Sequence, residues 1–225
     1  MNDSRQTSEK FRVVLVEDHP MFREQLTQLI NKEPDMCVCG EADNIRDAFE
    51  LVQSASADIV IVDLTLKGSN GLELIKDLKA RRVSVPVLVL SMHDELLYAE
   101  RVLRAGARGY ITKHKTSNEV MAAIRKVLSG EIYLGARMAT RALESFSARP
   151  RAQNGVSHLT DRELEIFELI GHGRTTREIS SRLHLGMSTV DTYRARIKTK
   201  LNLENASQLA HEAIRWVGAG QKAPV

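Results

Sequence analysis

Three stretches of this chain, "RVVLVE", "DIVIVD" and "PVLVLS", are apolar almost end to end and rich in Val, Leu and Ile. A strand with one wet face alternates apolar and polar residues. A strand that stays apolar must be covered on both faces, as in a parallel sheet packed between helices. "MCVCGEA" and "GYITK" are shorter, weaker candidates of the same kind. Between these runs, apolar residues recur at helical spacing: Met21, Phe22, Leu26, Leu29 and Ile30, then Leu72, Leu74, Ile75 and Leu78, then Val120, Ile124, Val127 and Leu128. Strand followed by helix, repeated along the front half, predicts an α/β fold with a doubly wound, five-stranded parallel sheet.

The back half has a different pattern. From Leu159 onward the chain reads as four helical segments without a convincing strand, an all-α domain. "TDRE" at 160–163 has the capping-box form, with Thr160 as N-cap and Glu163 returning to the cap amide. "STVD" at 188–191 and "NASQ" at 205–208 offer similar helix openings. Charge divides along the same line: residues 1–134 carry 18 Lys+Arg against 20 Asp+Glu, and residues 135–225 carry 14 against 9. A basic helical module after a mildly acidic one points to a polyanion partner for the second, although a few solvated arginines would give the same balance. The expected organisation is an extension over 1–10, an α/β domain over 11–130, a connector over 131–156, a helical domain over 157–217 and a disordered tail over 218–225. The connector has room for a short helix around Met138 to Phe146, followed by a flexible stretch rich in Ser, Pro, Asn and Gly.

No apolar run approaches membrane-spanning length, and the polar start "MNDSRQTSEK" does not read as a secretory signal. Cys37 and Cys39 are the only cysteines, and no second ligand pair stands at zinc-site spacing, so both read as free thiols. The expectation is a cytoplasmic protein.

Acids follow two of the buried strands: Glu17 and Asp18 after the first, Asp63 after the third. In a doubly wound sheet, ligands bind at the carboxyl edge where the strand order reverses. If these strands are neighbours, the acids meet there, and clustered carboxylates either take up protons or hold a cation. A hard divalent ion such as Mg2+ suits an all-oxygen site. Ser91 ends the fourth strand with a hydroxyl, and Lys113 follows the fifth with an ammonium. Acid, metal, hydroxyl and ammonium around one carboxylate make a site for a transferred phosphoryl group, the carboxylate acting as nucleophile.

"VEDHP", "VDLTLKGSNG", "LSMHDE" and "AGARGYITK" occur in the order of the response-regulator receiver motifs, and residues 11–130 resemble that flavodoxin-like domain. The resemblance implies Asp63 as phosphoacceptor, with Asp18, Asp63 and the backbone carbonyl of Thr65 ligating Mg2+ and Glu17 assisting through water. It implies that Ser91 contacts the phosphoryl group, that Lys113 pairs with it, and that Tyr110 turns inward when Ser91 is drawn to the phosphate. A sensor histidine kinase would be the phosphodonor. Two positions depart from the pattern. Lys67 stands four residues after Asp63 where proline is usual, and His114 follows Lys113 where a cis proline is common, so a trans bond is expected there. Both bear on the lifetime of the phosphorylated state.

In the back half, "REISSRL", "HLGM" and "STVDTYRARIKTKL" read as helix, turn, helix. On the second helix Val190, Ile197 and Leu201 share a stripe, with Tyr193 and Arg194 beside it. The opposite face holds Ser188, Thr192, Ala195 and Thr199, flanked by Asp191, Arg196 and Lys198. Small polar side chains beside cations suit entry into the major groove of DNA. Charge alone favours a small helical protein-binding domain with an ordinary solvated basic face. "LTDRELEIFELI", "GRTTREIS" and the closing "ASQLAHEA" resemble the LuxR-type helix-turn-helix of NarL/FixJ-class regulators over residues 157–217. That resemblance implies double-stranded DNA as partner, with Thr189 and Lys200 joining the residues just named in the interface. Tyr193 stands where histidine is commoner and Asp191 where a cation is common; an aspartate in the groove would accept from a cytosine amine or repel phosphate. Leu209, Ala210, Ala213 and Ile214 on the closing helix are a candidate pairing surface for a homodimer formed on phosphorylation.

The reading is a DNA-binding response regulator of a two-component system, not an enzyme. The rival from enzymes is an aspartate-nucleophile phosphatase, which would usually carry a second Asp where Thr65 stands. The rival from binding modules gives the back half a protein partner.

Overall fold

The computed structural model describes residues 10–67, 69–140 and 155–221. The chain divides into two compact units, Met1–Gly135 and Ala136–Val225.

The first unit is a five-stranded parallel sheet. β1 (Phe11–Val16), β2 (Met36–Ala42), β3 (Ile59–Val62), β6 (Val87–Ser91) and β7 (Gly109–Thr112) lie in the order β2-β1-β3-β6-β7. The central strands β3 and β6 and the second half of β1 are buried throughout because helices pack on both faces, whereas Phe11 and Arg12 at the start of β1 are exposed and most of the edge strand β2 is half-buried. Side chains alternate across a strand. Val13, Leu15, Ile59, Ile61, Leu88, Leu90 and Ile111 therefore share one core with α1 (Pro20–Asn31) and α5 (Ser117–Leu128). Val14, Val16, Val60, Val62, Val87, Val89 and Tyr110 are also buried and point the other way, toward the side of α2 (Ile45–Ser54), α3 (Gly71–Ala80) and α4 (Glu95–Ala105). The α1 stripe is narrower than its spacing suggests: Leu26 and Ile30 are buried, whereas Met21, at the first turn beyond the sheet edge, is 75% exposed.

The strand order reverses between β1 and β3, where Val16 pairs with Val62. The residues that follow these partners, Glu17, Asp18 and Asp63, are thereby brought to one edge. Beyond Asp63 a two-residue ladder, β4 (Thr65–Leu66) with β5 (Ser69–Asn70), folds the chain back into α3. Asn70 caps that helix by accepting from the Leu72 amide at 2.9 Å. Residue 71 has to be glycine, because a Cβ there would collide with the Asp63 carbonyl oxygen. The start of the expected connector belongs to the sheet: Tyr133 bridges in parallel to Gly109 on the outer side of β7.

The second unit holds four helices among its described residues beyond 159: α6 (Asp161–Gly171), α7 (Thr176–Leu183), α8 (Met187–Leu201) and α9 (Ala206–Gln221). Residues 136–140 are helical, and 141–154, the rest of the expected short helix and the flexible stretch, lie outside the described residues. The capping box of Thr160 and Glu163 opens α6, and Thr175 with Glu178 forms a second that opens α7. α8 starts one residue before the expected Ser188, after Gly186, which supplies no side-chain cap. Asn205 accepts from the Gln208 amide at the start of α9, as its "NASQ" opening suggests. α9 also runs four residues into the expected tail, since nothing in "GAGQ" forces a stop; the last residues, 222–225, lie outside the described ones. Phe167, Ile179, Leu183, Val190, Ile197 and Leu209 form the buried interior. His184, with φ 51° and ψ 42°, ends α7 in the left-handed conformation and turns the chain toward α8.

Candidate functional site

Glu17, Asp18 and Asp63 are nearly inaccessible at the sheet's reversal point, which would be costly without compensation. Lys113, arriving from the end of β7, supplies it. Its Nζ lies 2.6 Å from Glu17 Oε2 and 2.7 Å from Asp63 Oδ2, and 4.4 Å from the centre of the Phe22 ring. All three charged side chains of this fork are about 5% exposed or less. Burial pushes the Glu17 carboxyl up, and the neighbouring charge of Asp63 adds to this, against the pull of Lys113. Burial would lower Lys113, but the charges of Asp63 and Glu17 and the bonds to both outweigh it, so its pKa stands above the ordinary lysine value.

Asp18 completes the acidic set. His19 Nδ1 lies 2.8 Å from Asp18 Oδ1 but is hydrogen-bonded to Glu17 Oε1 at 3.0 Å, leaving Asp18 Oδ1 buried without a hydrogen-bond partner. Ligand atoms of Glu17, Asp18, His19 and Asp63 all lie within 4.8 Å of one another. An orphaned buried carboxylate oxygen among hard oxygen donors fits a divalent cation.

The remaining residues of the pocket form one hydrogen-bonded chain. The Thr65 amide donates to Asp63 Oδ1 at 3.3 Å, and the Thr65 hydroxyl meets His93 Nε2 at 2.9 Å. The His93 amide donates to Ser91 Oγ at 3.4 Å, and the Tyr110 hydroxyl donates to the His93 carbonyl at 2.9 Å. The His93 ring also lies against Tyr98 of α4, with centroids 4.5 Å apart. Tyr110 has no exposed surface, so its ring already occupies the inward position. Lys67 is exposed, and no cis peptide occurs among the described residues, so the bond from Lys113 to His114 is trans as expected. Of the residues named from sequence, the structure gathers Glu17, Asp18, Asp63 and Lys113 and links Ser91 to Thr65 through His93; sequence reasoning missed His19, His93 and Phe22. Both histidines stand inside the quoted "VEDHP" and "LSMHDE", one or two residues from a named group. Only folding shows that their rings turn toward it.

In the second unit, Val190 and Ile197 have no exposure and anchor α8 in the interior. Ser188, Thr189, Asp191, Thr192, Ala195, Arg196 and Thr199 are exposed on its outer side, while Tyr193, Arg194 and Lys198 are half-buried along the border. The Thr176 hydroxyl lies 3.4 Å from Asp191 Oδ1, joining the first turn of α7 to this face. Lys200 is exposed as well and has a partner within its own unit. Its Nζ is 2.7 Å from Glu163 Oε2, a carboxylate 3% exposed, so this cation balances a buried charge of its own unit. The pairing candidates divide too: Leu209 and Ala213 are fully buried in the unit's core, Ala210 is half-buried, and Ile214 is 55% exposed. One face of a helix serves only one partner, and α9 turns Leu209 and Ala213 inward beside Phe167, whose ring lies 5.7 Å from that of Trp216.

No described helix is long and apolar enough to cross a membrane.

The family described as the response regulator receiver domain matches residues 13–125, and that of bacterial regulatory proteins of the luxR family matches residues 157–213. The chain is similar to the response regulator UvrY of Escherichia coli, 32% identical over 203 residues that cover 90% of this chain and 93% of UvrY. It is also similar to the DNA-binding transcriptional activator DevR/DosR of Mycobacterium tuberculosis, 31% identical over 88% of this chain and 92% of that one. The crystal structure of a LuxR-family two-component response regulator from Aurantimonas sp. SI85-9A1 superposes with a TM-score of 0.58 at 31% identity, covering 62% of this chain and all of that one. A parallel sheet with an acid-lysine pocket at its reversal point, followed by a basic helix-turn-helix, thus belongs to a known lineage: the chain is a two-component response regulator of the NarL/FixJ class, with a receiver domain and a LuxR-type DNA-binding domain.

Proposed function

We propose that Asp63 is the phosphoacceptor of this regulator and that α8 carries the control of transcription to duplex DNA. The observation that carries the first part is the fork of Lys113 between Glu17 and Asp63. It puts a fixed positive charge 2.7 Å from the Asp63 carboxylate, where charge on phosphoryl oxygens would need to be offset. In the transfer, an Asp63 oxygen attacks phosphorus of the kinase phosphohistidine. The P–N bond breaks, its electron pair stays on the imidazole, and an acyl phosphate forms. Glu17, Asp18, Asp63 and the Thr65 carbonyl would hold Mg2+, which supplies further neutralisation of phosphoryl charge when bound. Ser91, linked to Tyr110 through His93, is the hydroxyl placed to sense the new group, with Tyr110 as the switch.

Ser188, Thr189, Asp191, Thr192, Ala195 and Thr199 would face the bases, with Tyr193, Arg194, Arg196 and Lys198 toward the backbone. Pairing of two copies would use the exposed side of α9 around Ile214. Thr65 stands where an aspartate-nucleophile phosphatase usually carries its second aspartate, which favours a stoichiometric switch over a phosphatase. Asp63→Asn should abolish acid-labile incorporation from acetyl phosphate and Mg2+. Equal incorporation by that variant would refute the assignment, and steady-state release of phosphate from small esters by the unaltered chain would favour the phosphatase.

A further inference from the structure

The chain leaves its first unit at Gly135 and enters the second at Ala136. The five residues before that crossing do not hang free. The Tyr133 carbonyl accepts from the Tyr110 amide at 3.0 Å, and the Tyr133 amide donates to the Arg108 carbonyl at 3.0 Å. This makes residues 132–134 a parallel graft on the outer edge of β7, where backbone groups would otherwise be unpaired. The approach leaves little room at Gly109: a Cβ there would lie 2.9 Å from a Leu88 methyl and 3.1 Å from both Cβ and the carbonyl oxygen of Tyr133. Two residues on, the Gly135 amide donates to Glu95 Oε1, and Glu95 is the first residue of α4.

Both ends of this graft meet the corner that holds Tyr110. The Tyr110 backbone is bonded to Tyr133, while its hydroxyl is bonded to His93, one residue before the Asp94 cap of α4. We propose that Tyr133 and Glu95 are positioning residues that make the start of the connector part of the receiver sheet, so that the state of Tyr110 sets how firmly residues 131–135 are held. This rests on the reading of Tyr110 as the phosphorylation switch. An inward Tyr110 coexists with the closed graft in this structure, so phosphorylation, by favouring the inward ring, tightens residues 131–135. By linkage, loosening the graft must weaken the inward state to the same extent.

The test uses the full-length chain with acetyl phosphate and Mg2+, read by amide hydrogen exchange and by acid-labile phosphate on Asp63. In the unaltered chain, exchange over residues 131–135 should slow at least about five-fold on phosphorylation, the low end of common coupling. Tyr133→Pro removes the amide that bonds Arg108, and Glu95→Gln weakens the hold on Gly135. Each should leave the phosphate stoichiometry at one per chain, abolish the slowing, and alter the phosphorylation rate several-fold. If Tyr133→Pro fails to fold, Glu95→Gln with the exchange data decides alone. Unchanged exchange on phosphorylation, or variants that keep the full response, would overturn the graft as a coupling element. Tyr110→Leu separates the two readings. Should it be phosphorylated yet respond like the unaltered chain, Tyr110 is not the switch. Should it lose the response while the Tyr133 and Glu95 variants keep theirs, the switch stands and the graft does not.

Discussion

Replacing Lys113 by methionine removes one positive charge from the centre of three buried carboxylates and keeps most of the side-chain volume over Phe22. Glu17 and Asp63 then face each other with Asp18 nearby, and only the His19 ring, beside Glu17 and Asp18, is left against them. Breaking a buried ion pair on one side costs about 3–5 kcal/mol, a large share of the roughly 5–15 kcal/mol that holds a domain together. For a unit of 135 residues this corresponds to a fall of roughly 10–20 °C in its melting temperature. The only tryptophan, Trp216, lies in the second unit, so calorimetry with far-ultraviolet circular dichroism is the suitable assay rather than intrinsic fluorescence. Two conditions should rescue the variant. Mg2+ at ten times its dissociation constant restores about 1.4 kcal/mol, because the freed carboxylates bind it in the folded state only. Acid restores part of the rest: Glu17 already has its pKa raised in the fold, so the folded state binds more protons than the unfolded one. Stability must therefore rise as pH falls toward the ordinary glutamate value. A variant within about 0.5 kcal/mol of the parent at pH 7, or one destabilised further by mild acid or Mg2+, would refute the charge-balance argument.

Gly71→Ala should cost about 1–3 kcal/mol and slow phosphorylation, since the new methyl can be accommodated only by moving the Asp63 carbonyl; an unshifted urea midpoint with normal labelling would contradict this. Arg196→Ala should reduce the slope of log affinity against log salt for duplex DNA by about one unit, whereas Lys200→Ala should act on stability, leaving Glu163 buried without its cation at a cost of about 1–3 kcal/mol. The Glu163 pKa is lowered overall: burial would raise it, but the bonds from Lys200 and Thr160 outweigh that. Its contribution is therefore present above the ordinary glutamate value and lost as pH falls through the lowered one, a window that Lys200→Ala should remove from the acid unfolding curve of the second unit. Ile214→Glu should lower self-association of the phosphorylated chain, seen by sedimentation, with under about 0.5 kcal/mol change in stability, while Leu209→Ala should cost about 2–5 kcal/mol by emptying a core position.

Fold class was legible from local pattern. Strands buried on both faces have to be apolar throughout, and "DIVIVD" allows few other arrangements. The acids at strand ends were legible for the same reason: a carboxylate adjoining such a run is expensive, so its position carries information. What local pattern does not contain is direction in space. The identity of Lys200 as a cation predicts an outward role equally with an inward one, and only the packing of α8 against the start of α6 puts it on Glu163. Leu209 and Ile214 are equally apolar by composition, and which one the core takes depends on where α6 lies. His93, the link between Thr65, Ser91 and Tyr110, is a contact among four residues spread over positions 65 to 110, and the return of Tyr133 to β7 is another of this kind. Periodicity and motif order along the chain therefore determined the two folds and the chemistry of the pocket. Tertiary structure alone decided which charges neutralise one another and which surfaces stay free, because those depend on distances between residues remote in the chain.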